Sequence, residues 1–194
     1  AHNILNPANG APITVPAQDM VLGLYYITKL RKGAKGEGLT FYGPEEALIA
    51  YNEGKVDIHA IINVVAKDLD ENGNIVDKMI KETSVGRVIV NEIVPAEVGY
   101  LNTIISKKSL RDIISDVIKA VGVARACEFL DGIKNLGYKM AFEGGLSFNL
   151  GDIIIPKEKE ELVKRGHEEI EQIMMNYNMG FITDNERYNQ VIDT

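Results

Sequence analysis

The chain has 194 residues, 45% hydrophobic and 25% charged, with a formal net charge of -7. That length suits one large domain or two small ones with enough apolar surface for a core, and the acidic balance argues against a free-standing nucleic-acid binder, which needs clustered Lys and Arg. No apolar run approaches the roughly 18 residues of a membrane span, and no basic, apolar leader opens the chain, so the cytoplasm is the expected compartment.

Residues 3–16, with three prolines and Asn9-Gly10, predict an extended, turn-rich entry. A helix is predicted from Ala17, with Met20, Val21, Leu24 and Ile27 on one face. The glycine-rich loop KGAKGEG ends it. From Thr28 to Leu39 the chain carries Lys29, Arg31, Lys32 and Lys35 against Glu37, which reads as a solvated basic turn. The loop has the wrong glycine order for a phosphate cradle, and no lysine-hydroxyl pair follows. Pro44-Glu45-Glu46 begins a helix well, with proline in the first turn and acids at the positive helix end. That helix should reach about Asn52 and stop at Gly54.

The β-branched, alternating stretch DIHAIINVVAK predicts a strand from Asp57, and Asn72-Gly73 predicts a hairpin whose returning strand runs from Ile75 to Lys81. The segment Asp68 to Met79 imitates a calcium loop, with Asp68, Asp70 and Asn72 in ligand order, but Met79 stands where a bidentate carboxylate is needed. A plain hairpin turn is expected. TSVGRVIVNEIVP reads as a strand-like start passing into an apolar segment that Pro95 ends. Two helices should follow, Leu110 to Val121 and Arg125 to Leu136, with Gly137 as the stop. Cys127, the only cysteine, lies in the second of these and reads as a buried core thiol. FEGGLSFNLGD reads as loop.

Pro156 should open a charged helix with Val163, Ile170, Met174 and Tyr177 on a narrow apolar stripe. Asn178-Met179-Gly180 breaks it, and Asp184 can cap a second helix containing Tyr188, Val191 and Ile192. From Lys157 to Thr194 there are five bases and nine acids. This pattern suits an antiparallel helical hairpin standing out from a body, with only the distal part of its first helix covered. Both chain ends read as boundaries within a longer protein. The expected fold class is α+β: mixed helices with a small antiparallel hairpin or sheet, then the helical hairpin.

The three histidines, His2, His59 and His167, show no metal-ligand spacing. No Ser/His/Asp grouping, paired-carboxylate site or CxxC motif appears, so the residues by themselves assemble no active site. A stand-alone interaction module with a helical arm and a calcium or nucleotide binder are the competing readings.

NILNPANGAPITVPAQDMVLGLYYIT resembles the segment that directly follows the catalytic aspartate loop in the beta-prime family of bacterial RNA polymerase subunits. TSVGRVIVNEIVP is similar to that family's next characteristic stretch. The run from Gly137 through Asp152-Ile-Ile-Ile-Pro156 and the run GFITDNERYNQVID resemble the start and tip of its rim helices. The resemblance is collinear over essentially the whole chain. It implies a pore or funnel domain over residues 1–155 and a rim helical hairpin over 156–194, with the second helix truncated. Such a region shapes the secondary channel that admits nucleoside triphosphates and receives the RNA 3′ end. It implies a place near the inner end of the channel for Gln18 and Asp19. It also implies a factor-docking tip of Asp184, Glu186, Arg187, Asn189 and Asp193, which would receive transcript-cleavage factors.

The resemblance implies the beta, alpha and omega subunits as partners, and no membrane. The family's magnesium and zinc are held by residues outside this chain, so the chain holds no catalytic residue or metal and should be inactive alone. Some members bind guanosine tetraphosphate with a Lys, an Asp and a Tyr, where this sequence has Ala124, Asp131 and Asn135. The missing lysine removes a phosphate-pairing charge, and that site is not expected. At a second such site Asn189 and Asp193 match, but Gln190 replaces the lysine.

Overall fold

The structure is a computed structural model that describes residues 4–194, so His2 lies outside the described residues. The turn-rich entry closes through an antiparallel bridge between Leu5 and Pro12. Helix α1 (Asp19–Thr28) follows, and Leu24 and Ile27 on its predicted face are fully buried. The basic loop is solvent-exposed at Arg31, Lys32 and Lys35, and Glu37 accepts the Gly33 N–H at 2.5 Å to tie its turn. Strand β1 (Thr40–Phe41) and helix α2 (Pro44–Asn52) come next, with α2 spanning the predicted residues.

Strand β2 (Ile62–Leu69) begins later than the alternation suggests. The Asp57 carboxylate accepts the His59 N–H at 2.8 Å, and the Asp57 carbonyl accepts the Ala60 N–H at 3.1 Å. A side-chain-stabilised turn therefore consumes the first residues of the apparent strand. His59 does not start a strand; it is buried in this turn, with Nδ1 3.0 Å from the Lys29 carbonyl and its ring edge-on to Tyr26. Strand β3 (Ile75–Thr83) returns antiparallel from the predicted hairpin, with Val64 opposite Ile80 and Leu69 opposite Ile75. The Asp70 carboxylate accepts the Asn72 and Asn74 N–H groups at 2.8 and 2.7 Å, which shapes the turn. The sheet is mixed rather than purely antiparallel, because β1 adds parallel to β2 through Thr40 and Phe41.

Asp68 gives this hairpin a pH signature. Its carboxylate accepts the Tyr100 N–H at 3.0 Å and the Lys78 ammonium at 3.3 Å. The Tyr100 amide, aided by the Leu69 amide and Lys78, holds the carboxyl below its ordinary range. A depressed carboxyl stabilises above the ordinary value of about 3.9 and loses that stabilisation as pH falls through the lowered one. The Tyr100 amide resonance should therefore keep its hydrogen-bonded shift down to about pH 4 and move only below it. Movement near neutral pH would show that Asp68 does not hold this contact.

The expected strand-like segment after Thr83 is instead helix α3 (Val85–Asn91). The Ser84 hydroxyl accepts the Arg87 N–H at 3.2 Å as its N-cap. Burial on every side, at Val85, Gly86, Val88 and Val90, erases the helical period from the sequence. Helix α4 (Lys107–Glu143) is kinked at Gly122, whose φ of 77° is not helical, so two helical stretches exist as predicted. The second does not stop at Gly137 but continues to Glu143. Gly137 is a close-approach position, where an added Cβ would meet the Met20 carbonyl oxygen at 2.6 Å. Cys127 is half-buried rather than fully buried.

One apolar cluster joins α1, α3 and α4, with Leu24, Ile27, Ile114 and Ile133 at its centre. A second lies between the sheet, α2 and α3, around Ile62, Val64, Ala47 and Val88. These belong to the first of two compact units, which ends at Leu146.

The second unit, Ser147–Thr194, holds helices α5 (Lys159–Asn178) and α6 (Asp184–Asp193). Pro156 makes a turn by accepting the Lys159 N–H, so α5 starts at Lys159 rather than at the proline. Thr183, not Asp184, caps α6. Helices α5 and α6 pack together as an antiparallel hairpin, and Gln190, Asp193 and Thr194 line a shallow groove with Glu169, Gln172 and Ile173 of α5. Val163, on the first half of α5, is 50% exposed. Among the described residues no helix is long and apolar enough to cross a membrane.

Candidate functional site: the start of helix α1 and the tip of α6

Gln18 stands immediately before α1 with φ 53° and ψ -124°, and its side chain caps nothing. A positive φ at a residue with a Cβ costs about 1–3 kcal/mol and persists only where the surroundings over-determine the backbone. Gln18 and Asp19 are both exposed. Asp19 occupies the first helical position, where its charge meets the positive end of the helix. The structure thus presents these two predicted residues side by side on a helix start.

The rest of α1 supplies the rigidity. At Gly23 the helix passes so close to α4 that a Cβ would overlap the Gly137 carbonyl oxygen and sit 2.8 Å from the Ala141 nitrogen. At Gly86 an added Cβ would overlap the Ile27 carbonyl oxygen. The last turn is held by Arg87, which is 5% exposed. Its Nε donates to the Thr28 carbonyl at 3.0 Å, and its Nη1 donates to the Asn102 carbonyl and side-chain oxygens at 2.9 and 2.8 Å. Burial pushes its pKa down, yet the guanidinium faces the negative end of α1, where a cation is stabilised. The Thr28 hydroxyl donates back to the Leu24 carbonyl at 2.7 Å and accepts the Ile105 N–H at 3.0 Å. Sequence reasoning did not single out Arg87. A lone cation inside the apolar run VGRVIV was the available signal, since an arginine there must find carbonyl partners.

At the other predicted site the residues divide by role. The Glu186 carboxylate accepts the Thr183 N–H and hydroxyl at 2.7 and 2.9 Å, closing the capping box, and these bonds lower its pKa. Asp184 accepts Arg187 Nη2 and Nε at 2.7 and 3.0 Å, and the Arg187 guanidinium lies 5.3 Å from the Tyr177 ring centre. Asn189 and Asp193, one turn apart on α6, are exposed. The two predicted groups belong to different units of the chain.

On the second half of α4, Ala124 and Asn135 are exposed, and Asp131 pairs with Lys134 at 3.0 Å. A groove of about 400 Å³ lies elsewhere, lined by Tyr42, Glu45, Val65, Lys67, Asn91 and Tyr100, and no predicted site residue falls in it. The hydroxyl of the half-buried Tyr100 pairs with Thr83 at 3.0 Å, and desolvation pushes its pKa up to about 12. Among the described residues no three or more His, Cys, Asp or Glu side chains gather as a metal site.

Residues 3–153 match the family model described as RNA polymerase Rpb1, domain 3. The whole chain is similar to the protein named DNA-directed RNA polymerase subunit beta′ from Phocaeicola vulgatus, at 94% identity over 194 residues. It is 86% identical over 193 residues to the protein of the same name from Bacteroides fragilis, and 54% over 198 residues to that from Flavobacterium johnsoniae. In each case the chain spans 14% of the relative's length.

Proposed function

The chain belongs to the beta-prime subunit family of bacterial DNA-directed RNA polymerase, and we propose from that membership that it forms the wall and rim of the enzyme's secondary channel. In this reading residues 1–155 are the pore domain and 156–194 the rim hairpin. The parent enzyme is a nucleotidyltransferase, and this region's part in the reaction is positional. Gln18 and Asp19 meet incoming nucleoside triphosphates and the RNA 3′ end. The tip of α6 receives transcript-cleavage factors, and the beta, alpha and omega subunits complete the assembly. The observation that carries the reading is the strained, exposed Gln18 on a helix clamped at both Gly23 and Thr28. Such a support positions a side chain more sharply than a loop does.

Both halves are tested in assembled polymerase carrying the substitutions in the full-length subunit. Gln18→Ala should raise the KM for nucleotide about fivefold with kcat little changed, as expected for one lost hydrogen bond of about 1 kcal/mol. Asn189→Ala with Asp193→Ala should weaken stimulation by a cleavage factor and leave unassisted elongation unchanged. These two are preferred at the tip because Asp184, Glu186 and Arg187 also hold α6 together. Parent values for nucleotide KM and factor response alike would refute the assignment.

A further inference from the structure

Among the described residues only Gln18 and Glu82 combine a side chain with a positive φ, at 53° and 52°. Glu82 has a local cause. The register of β2 against β3 shifts opposite it, between Ile62 and Val64, and its N–H donates to the Asn63 side-chain oxygen at 3.2 Å. Gln18 has no such cause, since its side chain caps nothing. Its φ and ψ are those of the first central residue of a type II′ turn, where glycine is the usual occupant. Backbone of this kind persists only where its surroundings over-determine it. Both flanks of Gln18 are in fact fixed. Two residues before it Pro16 is buried, and Val15 packs on the cluster that joins α1, α3 and α4. Two residues after it Met20 lies against Gly137 of α4. A Cβ on Gly137 would stand 2.6 Å from the Met20 carbonyl oxygen and 2.9 Å from its Cα. The Leu22 N–H donates to the Gln18 carbonyl at 3.0 Å, so Gln18 moves with this first turn of α1.

We propose that Gly137 and Pro16 are positioning residues for Gln18. By pinning the chain on either side they impose the turn from which its side chain meets the incoming nucleoside triphosphate. The proposal rests on the reading of Gln18 as a nucleotide contact. Gly137 is glycine, in this view, because only a residue without a Cβ lets Met20 come so close. Any larger residue lifts the first turn of α1 off α4 and carries Gln18 with it. The contact is with Met20 backbone atoms, so no side-chain rotation absorbs the displacement. Pro16 acts from the other side, where its ring fixes φ and its burial anchors the entering chain.

Steady-state nucleotide addition by assembled polymerase, with the substitutions in the full-length subunit, tests this. Gly137→Ala should raise the KM for nucleotide about fivefold, as Gln18→Ala does, with kcat little changed. Pro16→Ala, which frees the other flank without a clash, should raise it about twofold. In the Gln18→Ala background neither substitution should raise KM further, because both act through that side chain. Gly132→Ala controls for a general loosening of α4. A Cβ there meets the Ile93 side chain, 2.5 Å from Cγ2, and nothing of α1, so this variant should keep the parent KM. A Gly137→Ala enzyme with the parent KM, the same rise in Gly132→Ala, or penalties that multiply with that of Gln18→Ala would each overturn the proposal. If the Gly137→Ala subunit does not assemble, Pro16→Ala decides, alone and combined with Gln18→Ala. A parent KM for Gln18→Ala itself is a separate outcome, which would remove the nucleotide contact and this proposal with it.

Discussion

Replacing Gly23 with alanine should lower the stability of the first unit by about 3 kcal/mol and its Tm by about 10 °C. The added methyl would overlap the Gly137 carbonyl oxygen and approach the Ala141 nitrogen to 2.8 Å. Both are α4 backbone atoms, so no side-chain rotation relieves the clash. Helices α1 and α4 must separate, and that loosens the packing of Leu24 and Ile27, which are fully buried. Gly166→Ala is the matched control. It lies on α5, and an added Cβ there meets nothing within 4 Å. Alanine's better helix propensity should make that variant more stable by about 0.5–1 kcal/mol. Thermal melts followed by circular dichroism would show opposite signs. A Gly23→Ala chain melting within about a degree of the parent would mean that α1 and α4 are not in backbone contact.

Arg87→Met should be as damaging, for an electrostatic reason. Two effects oppose each other. Removing a buried guanidinium relieves its desolvation, which already depresses its pKa. It also leaves the Thr28 carbonyl and both Asn102 oxygens without their donors. A buried acceptor left unsatisfied costs about 1–3 kcal/mol, a penalty that applies in full at Thr28 and less at the half-buried Asn102. With three acceptors stranded the second effect wins, and the expected net loss is about 3 kcal/mol. Arg87→Lys should recover less than half of it, because a point charge cannot reproduce the fork that reaches Thr28 and Asn102 together. Urea unfolding of the three chains measures this. An Arg87→Met chain as stable as the parent would show that the network is not what fixes the end of α1.

Both experiments concern residues whose role depends on distant partners, and here reading the sequence alone fell short. Gly137 reads as a helix stop because glycine usually ends helices; its actual role is set by α1, more than a hundred residues earlier in the chain. The segment TSVGRVIVNEIVP reads as a strand-like start passing into an apolar run, because burial around α3 hides the helical period. The Asp57 turn shortens β2 through a side-chain bond that competes with the ladder. The parallel pairing of β1 was not anticipated, since two residues carry no pattern.

What the sequence by itself determined is local or cumulative. Pro44-Glu45-Glu46 starts α2 and Asn72-Gly73 turns the hairpin, because their preferences act within a few residues. The α+β class follows from the succession of such signals, and family membership from motifs spread along the whole chain. Only the tertiary structure decided that Gly23, Gly86 and Gly137 are contact points, that Arg87 caps α1, and that Gln18 is strained at an exposed helix start. The physical reason is that close packing and buried hydrogen bonds are properties of pairs of segments. A linear pattern records each residue's own preferences, but not the backbone carbonyl that will face it once the chain has folded.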